Sequence, residues 1–191
     1  MQHLKSLYIA LMACASILLF SNQETIILRN SLQKEADVEW LIVGAGPAGI
    51  ATIGVLHDLG VPYKKIAWVD PEFKVGRIGK YYQNVPANNP TGPLIDFINA
   101  CQTFSECTSN SLTELRAQDP KQFPTLGIIV PALQDITDYL RTQIPNYQDK
   151  INRLNFNNSL WQAKIGTTIL SARHVVLAIG SHPKELSYDN T

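Results

Sequence analysis

The clearest chemical reading comes from Gly44-Ala45-Gly46-Pro47-Ala48-Gly49 and, 21 positions after the last of these glycines, Asp70. Glycines at this spacing suit a phosphate cradle. Gly44 permits a tight turn out of a strand, and Gly46 lacks the Cβ that would keep a pyrophosphate from the backbone N–H groups. Gly49 lets the following helix lie close to the sheet. Pro47 and Ala48 open that helix, whose N-terminus offers orphan amides and the positive end of its dipole to an anion. Asp70 stands where a carboxylate can accept hydrogen bonds from a ribose. Its charge would repel a 2′-phosphate, so an NADP-type ligand is disfavoured at this turn.

The motif has force only if the flanking elements agree with it, and they do. Trp40-Leu41-Ile42-Val43 is a short continuous apolar run, the pattern of a strand buried on both faces of a parallel sheet. The helix from Ile50 to Leu59 is closed by Gly60-Val61-Pro62, and Ile66–Val69 supplies a second strand ending on Asp70. Further on, Leu160–Lys164 and Thr168–Ala172 alternate across Gly166-Thr167, a hairpin or meander. Arg173–Ile179 reads as another buried strand, stopping at Gly180. A helix is expected over Pro93–Phe104. A second is expected over Pro131–Ile144, with Pro131 in its first turn and Leu133, Ile136, Leu140 and Ile144 on one stripe, and a third parallel strand should follow around Lys150–Leu154.

This combination resembles the two-dinucleotide-binding-fold flavoprotein oxidoreductases, the group of flavin-containing monooxygenases and pyridine nucleotide-disulfide reductases. The resemblance implies an α/β, Rossmann-like three-layer FAD/NAD(P)-binding domain with a parallel sheet and a small β-meander. It implies FAD as cofactor, held at Gly44, Gly46, Pro47, Ala48, Gly49 and Asp70. Ala178-Ile179-Gly180 matches the Ala-Thr-Gly strand end of that family, with Ile in place of Thr, so a backbone role survives and a hydroxyl role does not. The loop from Val75 to Asn88 resembles the one with which monooxygenase-like members cradle the pyrophosphate and ribityl chain, which adds Gly79 and Lys80 to the site. Disulfide reductases of the glutathione-reductase type carry a redox pair of cysteines there. No Cys lies between 15 and 100, so that chemistry is not encoded.

The remaining candidates are weaker. Cys101 and Cys107 match neither a redox motif nor a metal knuckle and read as structural thiols. His3, His57, His174 and His182 are scattered, and no metal is expected. Sixteen Lys+Arg against sixteen Asp+Glu leave a net charge of +0, with no electrostatic footprint for nucleic acid. Lys5 followed by the uncharged stretch Leu7–Phe20 has the outline of a signal or anchor segment, which would bring membrane association or a secretory route; without it the chain would be cytoplasmic. Asn157-Asn158-Ser159 is then a formal glycosylation acceptor. The expected organisation is a leader over 1–21, a linker over 22–37, the dinucleotide-binding domain over 38–186 and a tail over 187–191.

After Gly92 no three glycines are close enough to make a second such turn. A nicotinamide domain is therefore not expected in this chain, and NAD(P)H would act through a domain outside it. The reading favoured is the FAD-binding domain of a monooxygenase-like oxidoreductase, incomplete as a catalyst alone and with catalytic residues unassigned. The rivals are a non-catalytic or degenerate dinucleotide-binding module and an NAD-dependent dehydrogenase. A short-chain dehydrogenase is disfavoured because no tyrosine has Lys four positions later.

Overall fold

A computed structural model describes residues 36–181, and the expected leader at 1–21 and tail at 187–191 lie outside them. One six-stranded sheet runs in the order β3-β2-β1-β6-β5-β4. β1 (Val38–Val43) lies parallel to both β2 (Ile66–Val69) and β6 (Thr168–Leu177), and β2 is parallel to β3 (Asn146–Tyr147). β5 (Leu160–Ile165) is antiparallel to β6 and to β4 (Ile151–Asn157). Successive residues of a strand face opposite sides. Ile42 and Trp68 accordingly join the helices in one core, while Leu41, Val43, Ala67 and Val69 join Ala163, Ile165, Leu170 and Ala172 of the meander in a second.

The helical layer begins with α1 (Pro47–Asp58), which carries proline at its first position and places Ile50, Ile53 and Leu56 in the core. It ends in a Schellman turn. Gly60 adopts φ 89°, its N–H donates to the His57 carbonyl (2.8 Å), and Val61 N–H reaches back to Leu56 (3.0 Å). Then follow α2 (Gly76–Tyr81), α3 (Gly92–Ala100), α4 (Gln102–Ser105), α5 (Asn110–Arg116) and α6 (Leu126–Gln143). No helix of the described residues is long and apolar enough to cross a membrane.

Four local expectations change, each for a tertiary reason. The helix expected over 93–104 breaks at Cys101, whose backbone is extended, because Asp58 from the end of α1 caps a new start. Its carboxylate accepts N–H bonds from Gln102 and Thr103 (both 3.0 Å) and the Thr103 hydroxyl (2.7 Å). The helix expected from Pro131 starts earlier, at Leu126, so Pro131 sits inside it rather than in its first turn. The amides of Leu126 and Gly127 donate to the carbonyls of Val85 (2.9 Å) and Gln83 (2.6 Å), which anchors the extra turn.

The third parallel strand is the short β3, brought beside β2 by Trp68 N–H to Pro145 (2.9 Å) and Asp70 N–H to Tyr147 (3.2 Å). The segment around Lys150–Leu154 belongs instead to the antiparallel meander. The hairpin strand at 168–172 and the strand read separately at 173–179 are one continuous β6. It is not buried throughout: Leu177 is 59% exposed.

Gly54 shows how tightly α1 and α4 meet. A Cβ there would lie 2.5 Å from Phe104 Cζ and 2.8 Å from Cys101 Sγ. Burial alone would raise the Asp58 carboxyl, but its hydrogen bonds from Thr103, the Cys101 thiol and Gln102 together outweigh this and hold it below the usual carboxylate range. A carboxyl lowered on folding stabilises the fold above its unfolded pKa of about 4, and that contribution disappears as pH falls through the folded value. Thermal melts from neutral to acid pH should therefore show part of the acid destabilisation vanishing in Asp58→Ala. Equal acid slopes for parent and variant would show that the cap is not formed.

Candidate functional site

β1, the glycine turn and the end of β6 meet at Gly44. The Gly44 backbone is left-handed (φ 108°), and its N–H donates to Val69 of β2 (2.8 Å). Its carbonyl accepts the buried Trp68 indole N–H (2.9 Å). A Cβ on Gly44 would collide with the carbonyl oxygen of Ala178, whose own N–H donates to Val43 (2.8 Å). A Cβ on Gly49 would collide with the Gly44 carbonyl oxygen. Two of the three glycines are thus required by the protein's own backbone, and the turn from Gly44 to Gly49 and Ala178 are brought together.

Gly46 is different. It precedes α1 with φ −80° and ψ 177°, values open to any residue, and a Cβ there would meet nothing within 4 Å. Packing among the described residues gives no reason for glycine at this position. The first turn of α1 has neither a side-chain cap nor an acidic residue, and Pro47 and Ala48 are exposed. The first helical bond runs from Ile50 N–H to Gly46 (3.1 Å), which leaves the Ala48 and Gly49 amides without an intrahelical acceptor. Open space at Gly46, amides without intrahelical acceptors and the positive end of a helix dipole are what binding an anion requires. A pyrophosphate fits this donor set.

Asp70 leaves the end of β2 and organises the adjoining loop. Its Oδ2 accepts the Ala45 N–H (2.8 Å), and its Oδ1 accepts those of Glu72 (2.8 Å) and Phe73 (2.6 Å). The carboxylate expected for a ribose therefore also ties the glycine turn to the loop beside it. Phe73 (φ 51°), Val75 (φ 56°) and Gly76 (φ 61°) are all left-handed, which for Val75 is strained. The loop is held by Gln134 Nε2 donating to the Phe73 carbonyl (3.0 Å), by the Arg141 guanidinium 4.4 Å from the Phe73 ring centre, and by Trp68 edge-on to Phe73. A Cβ on Gly76 would come within 3.2 Å of Gly46 Cα, so the loop abuts the turn.

Within that loop, Gly79 is explained by its own chain, since a Cβ would strike the Lys74 carbonyl. Lys80 lies on α2 and pairs with Glu72 at 2.7 Å, both side chains about half exposed. Gly180 has φ 66°, with nothing near its missing Cβ. Beside the start of α1 an apolar cleft of about 320 Å³ opens between α1, α3, α4 and α6, lined by Pro47, Ile50, Phe97 and Leu133 among others. Cys101 and Cys107 are buried in the helical core, and burial pushes both thiols up, away from the reactive thiolate form. No cluster of His, Cys, Asp or Glu among the described residues could hold a metal ion.

Trp68, Phe73, Gln134 and Arg141, which hold the turn and its loop, are the residues that sequence reasoning missed. Only Trp68 carried a signal: a polar indole in a strand otherwise of small and branched apolar residues.

No protein-family model matches the chain. A monooxygenase of Paecilomyces divaricatus, AgnR1, is 37% identical over 86 residues, which are 45% of this chain and 20% of that protein. Among solved structures, OTEMO in complex with FAD and NADP superposes with TM-score 0.58 at 13% identity, over 82% of this chain and 29% of that one. A flavin-containing monooxygenase from Stenotrophomonas maltophilia gives 0.54 at 14% identity (78% and 42%). The bacillithiol disulfide reductase Bdr of Staphylococcus aureus gives 0.54 at 12% (76% and 39%). The chain has the Rossmann-like fold of the flavin monooxygenases and pyridine nucleotide-disulfide reductases, and it spans less than half the length of these relatives.

The three glycines should separate on mutation. Gly44→Ala and Gly49→Ala should each lower unfolding free energy by about 1–3 kcal/mol, because backbone atoms must move. Gly46→Ala, at an N-cap where alanine is less favoured than glycine, should cost less than either, about 0.5–1 kcal/mol. Urea titration followed by circular dichroism measures all three. A Gly46→Ala loss as large as the other two would mean that packing, not a ligand, requires glycine there.

Proposed function

We propose that this chain is the FAD-binding part of a monooxygenase-like, FAD-dependent oxidoreductase, with the ADP half of the cofactor along Gly44–Gly49. The observation that carries the reading is Gly46, a glycine that no packing contact requires, at the open start of α1 with no side-chain cap. The local likeness to a monooxygenase and the fold of FAD-dependent enzymes support the choice of cofactor. FAD supplies the redox chemistry when bound; what the protein supplies is binding, orientation and electrostatics.

In this proposal the amides that open α1 receive the pyrophosphate. Asp70 keeps its three backbone bonds and uses its remaining acceptor capacity for the adenosine ribose; a carboxylate has about four lone-pair sites. Ala178 and Gly180 border the turn from the end of β6. Lys80 turns to the phosphates by leaving Glu72, which an exposed ion pair worth about 0–1 kcal/mol permits. Reduction by NAD(P)H would act through a domain outside this chain, and a secretory or membrane route would rest on the segment before residue 22.

Titration of the apo-protein with FAD, followed by flavin fluorescence, tests the reading. Gly46→Val should fold normally and weaken FAD by more than about tenfold, or 1.4 kcal/mol. Full-strength FAD binding by Gly46→Val would remove the pyrophosphate from this turn. NAD binding with no FAD binding would put a nicotinamide cofactor there instead.

Asp70→Asn should act on both sides of the linkage. It replaces one accepting oxygen with a donor facing an N–H, so stability should drop by about 1–3 kcal/mol together with affinity. An Asp70→Asn protein as stable as the parent would show that the three backbone bonds are not made in solution.

A further inference from the structure

A carboxylate offers about four lone-pair positions, two on each oxygen. On Asp70 the backbone already fills three of them. Oδ1 accepts from both Glu72 N–H (2.8 Å) and Phe73 N–H (2.6 Å), which turns this oxygen towards its own loop and uses both of its positions. Oδ2 accepts from Ala45 N–H (2.8 Å) and keeps one position. Asp70 itself is half-buried rather than enclosed.

These bonds are not easily surrendered. Ala45 and Phe73 are both buried, so an amide released from Asp70 would be left without a partner away from water. The Ala45 amide is also fixed from its far side. It belongs to the trans peptide whose carbonyl, that of Gly44, accepts the Trp68 indole N–H (2.9 Å). In a planar trans peptide C=O and N–H point in opposite directions, so Trp68 on one edge and Asp70 on the other hold the plane in one orientation. Turning it over would set two donors face to face at Trp68 and two acceptors face to face at Asp70. Glu72 is exposed, but its N–H shares Oδ1 with that of Phe73, which keeps this oxygen facing the loop.

We infer that Asp70 reads the adenosine ribose through one hydroxyl, accepted by Oδ2, and does not read the other. The inference rests on the proposal that the ADP half of FAD lies along Gly44–Gly49. An unengaged carboxylate can accept both hydroxyls of a ribose, one on each oxygen. This one has a single position left, because the turn and the loop that build the site consume the rest. Deoxygenation at one ribose position then removes a charge-assisted hydrogen bond, and at the other it removes nothing from Asp70.

Flavin fluorescence titration of the full chain, freed of cofactor, compares FAD with its 2′-deoxyadenosine and 3′-deoxyadenosine analogues. One analogue should bind roughly ten- to a hundredfold more weakly than FAD, and the other within about threefold of it. In Asp70→Asn, with circular dichroism confirming the fold, the gap between the analogues should shrink to about threefold or less. Two equally weakened analogues would show a carboxylate that accepts both hydroxyls, and overturn the inference. Two analogues that bind like FAD overturn it as well, and so does a gap that survives in Asp70→Asn, which puts the hydroxyl on another group. The comparison of analogues on the parent needs no variant to fold. In each of these outcomes FAD still binds, and its loss in Gly46→Val keeps the cofactor reading in place. A parent that binds no FAD removes that reading, and the ribose inference with it.

Discussion

The fold turns on the crowding around one peptide carbonyl. Gly44 sits where β1, β2, the end of β6 and α1 converge, and its oxygen occupies space that a methyl on Gly49 would need. The Trp68 indole satisfies that same oxygen from below the helices. A buried carbonyl without a donor would be costly, so the choice of Trp at 68 and of glycine at 44 and 49 form one arrangement. The close approach directs the N-terminus of α1 over the carboxyl ends of the parallel strands, where open α/β sheets bind their ligands. The position of the open first turn of α1 is thus a consequence of the packing that closes the sheet against its first helix.

Asp70 extends the same logic outward. A carboxylate at the end of β2 that accepts three backbone N–H groups converts a flexible exit into a fixed loop. Left-handed Phe73 persists because Gln134, Arg141 and Trp68 over-determine its position. Strain beside the turn is consistent with a pre-organised surface: the loop need not be ordered when a ligand arrives. A single side chain therefore ties the glycine turn to the loop beside it, which a reading of Asp70 as a ribose ligand alone does not reveal.

Much of this was legible in the residue order because it depends on short-range chemistry. An apolar run, a glycine-proline turn and a helix closed by Gly60 specify β1 and α1 locally, and Ile66–Val69 is bounded by Lys65 and Asp70. The hairpin at Gly166-Thr167 is equally local, a two-residue turn between alternating strands. The spacing of Gly44, Gly46 and Gly49 pointed to phosphate for the same reason: it concerns atoms a few bonds apart.

The rest was decided by partners far along the chain. The break at Cys101 depends on Asp58, and the early start of α6 on the carbonyls of Gln83 and Val85, through hydrogen bonds between segments that no local window contains. The span of β6 was set by its having two partners, β5 for its first half and β1 for its second. Only the folded chain shows that Gly44 and Gly49 answer to backbone contacts while Gly46 answers to none. The residue order determined that a glycine turn joins β1 to α1; the tertiary structure decided which of its glycines the protein needs for itself, because a steric requirement is visible only when both surfaces are in place.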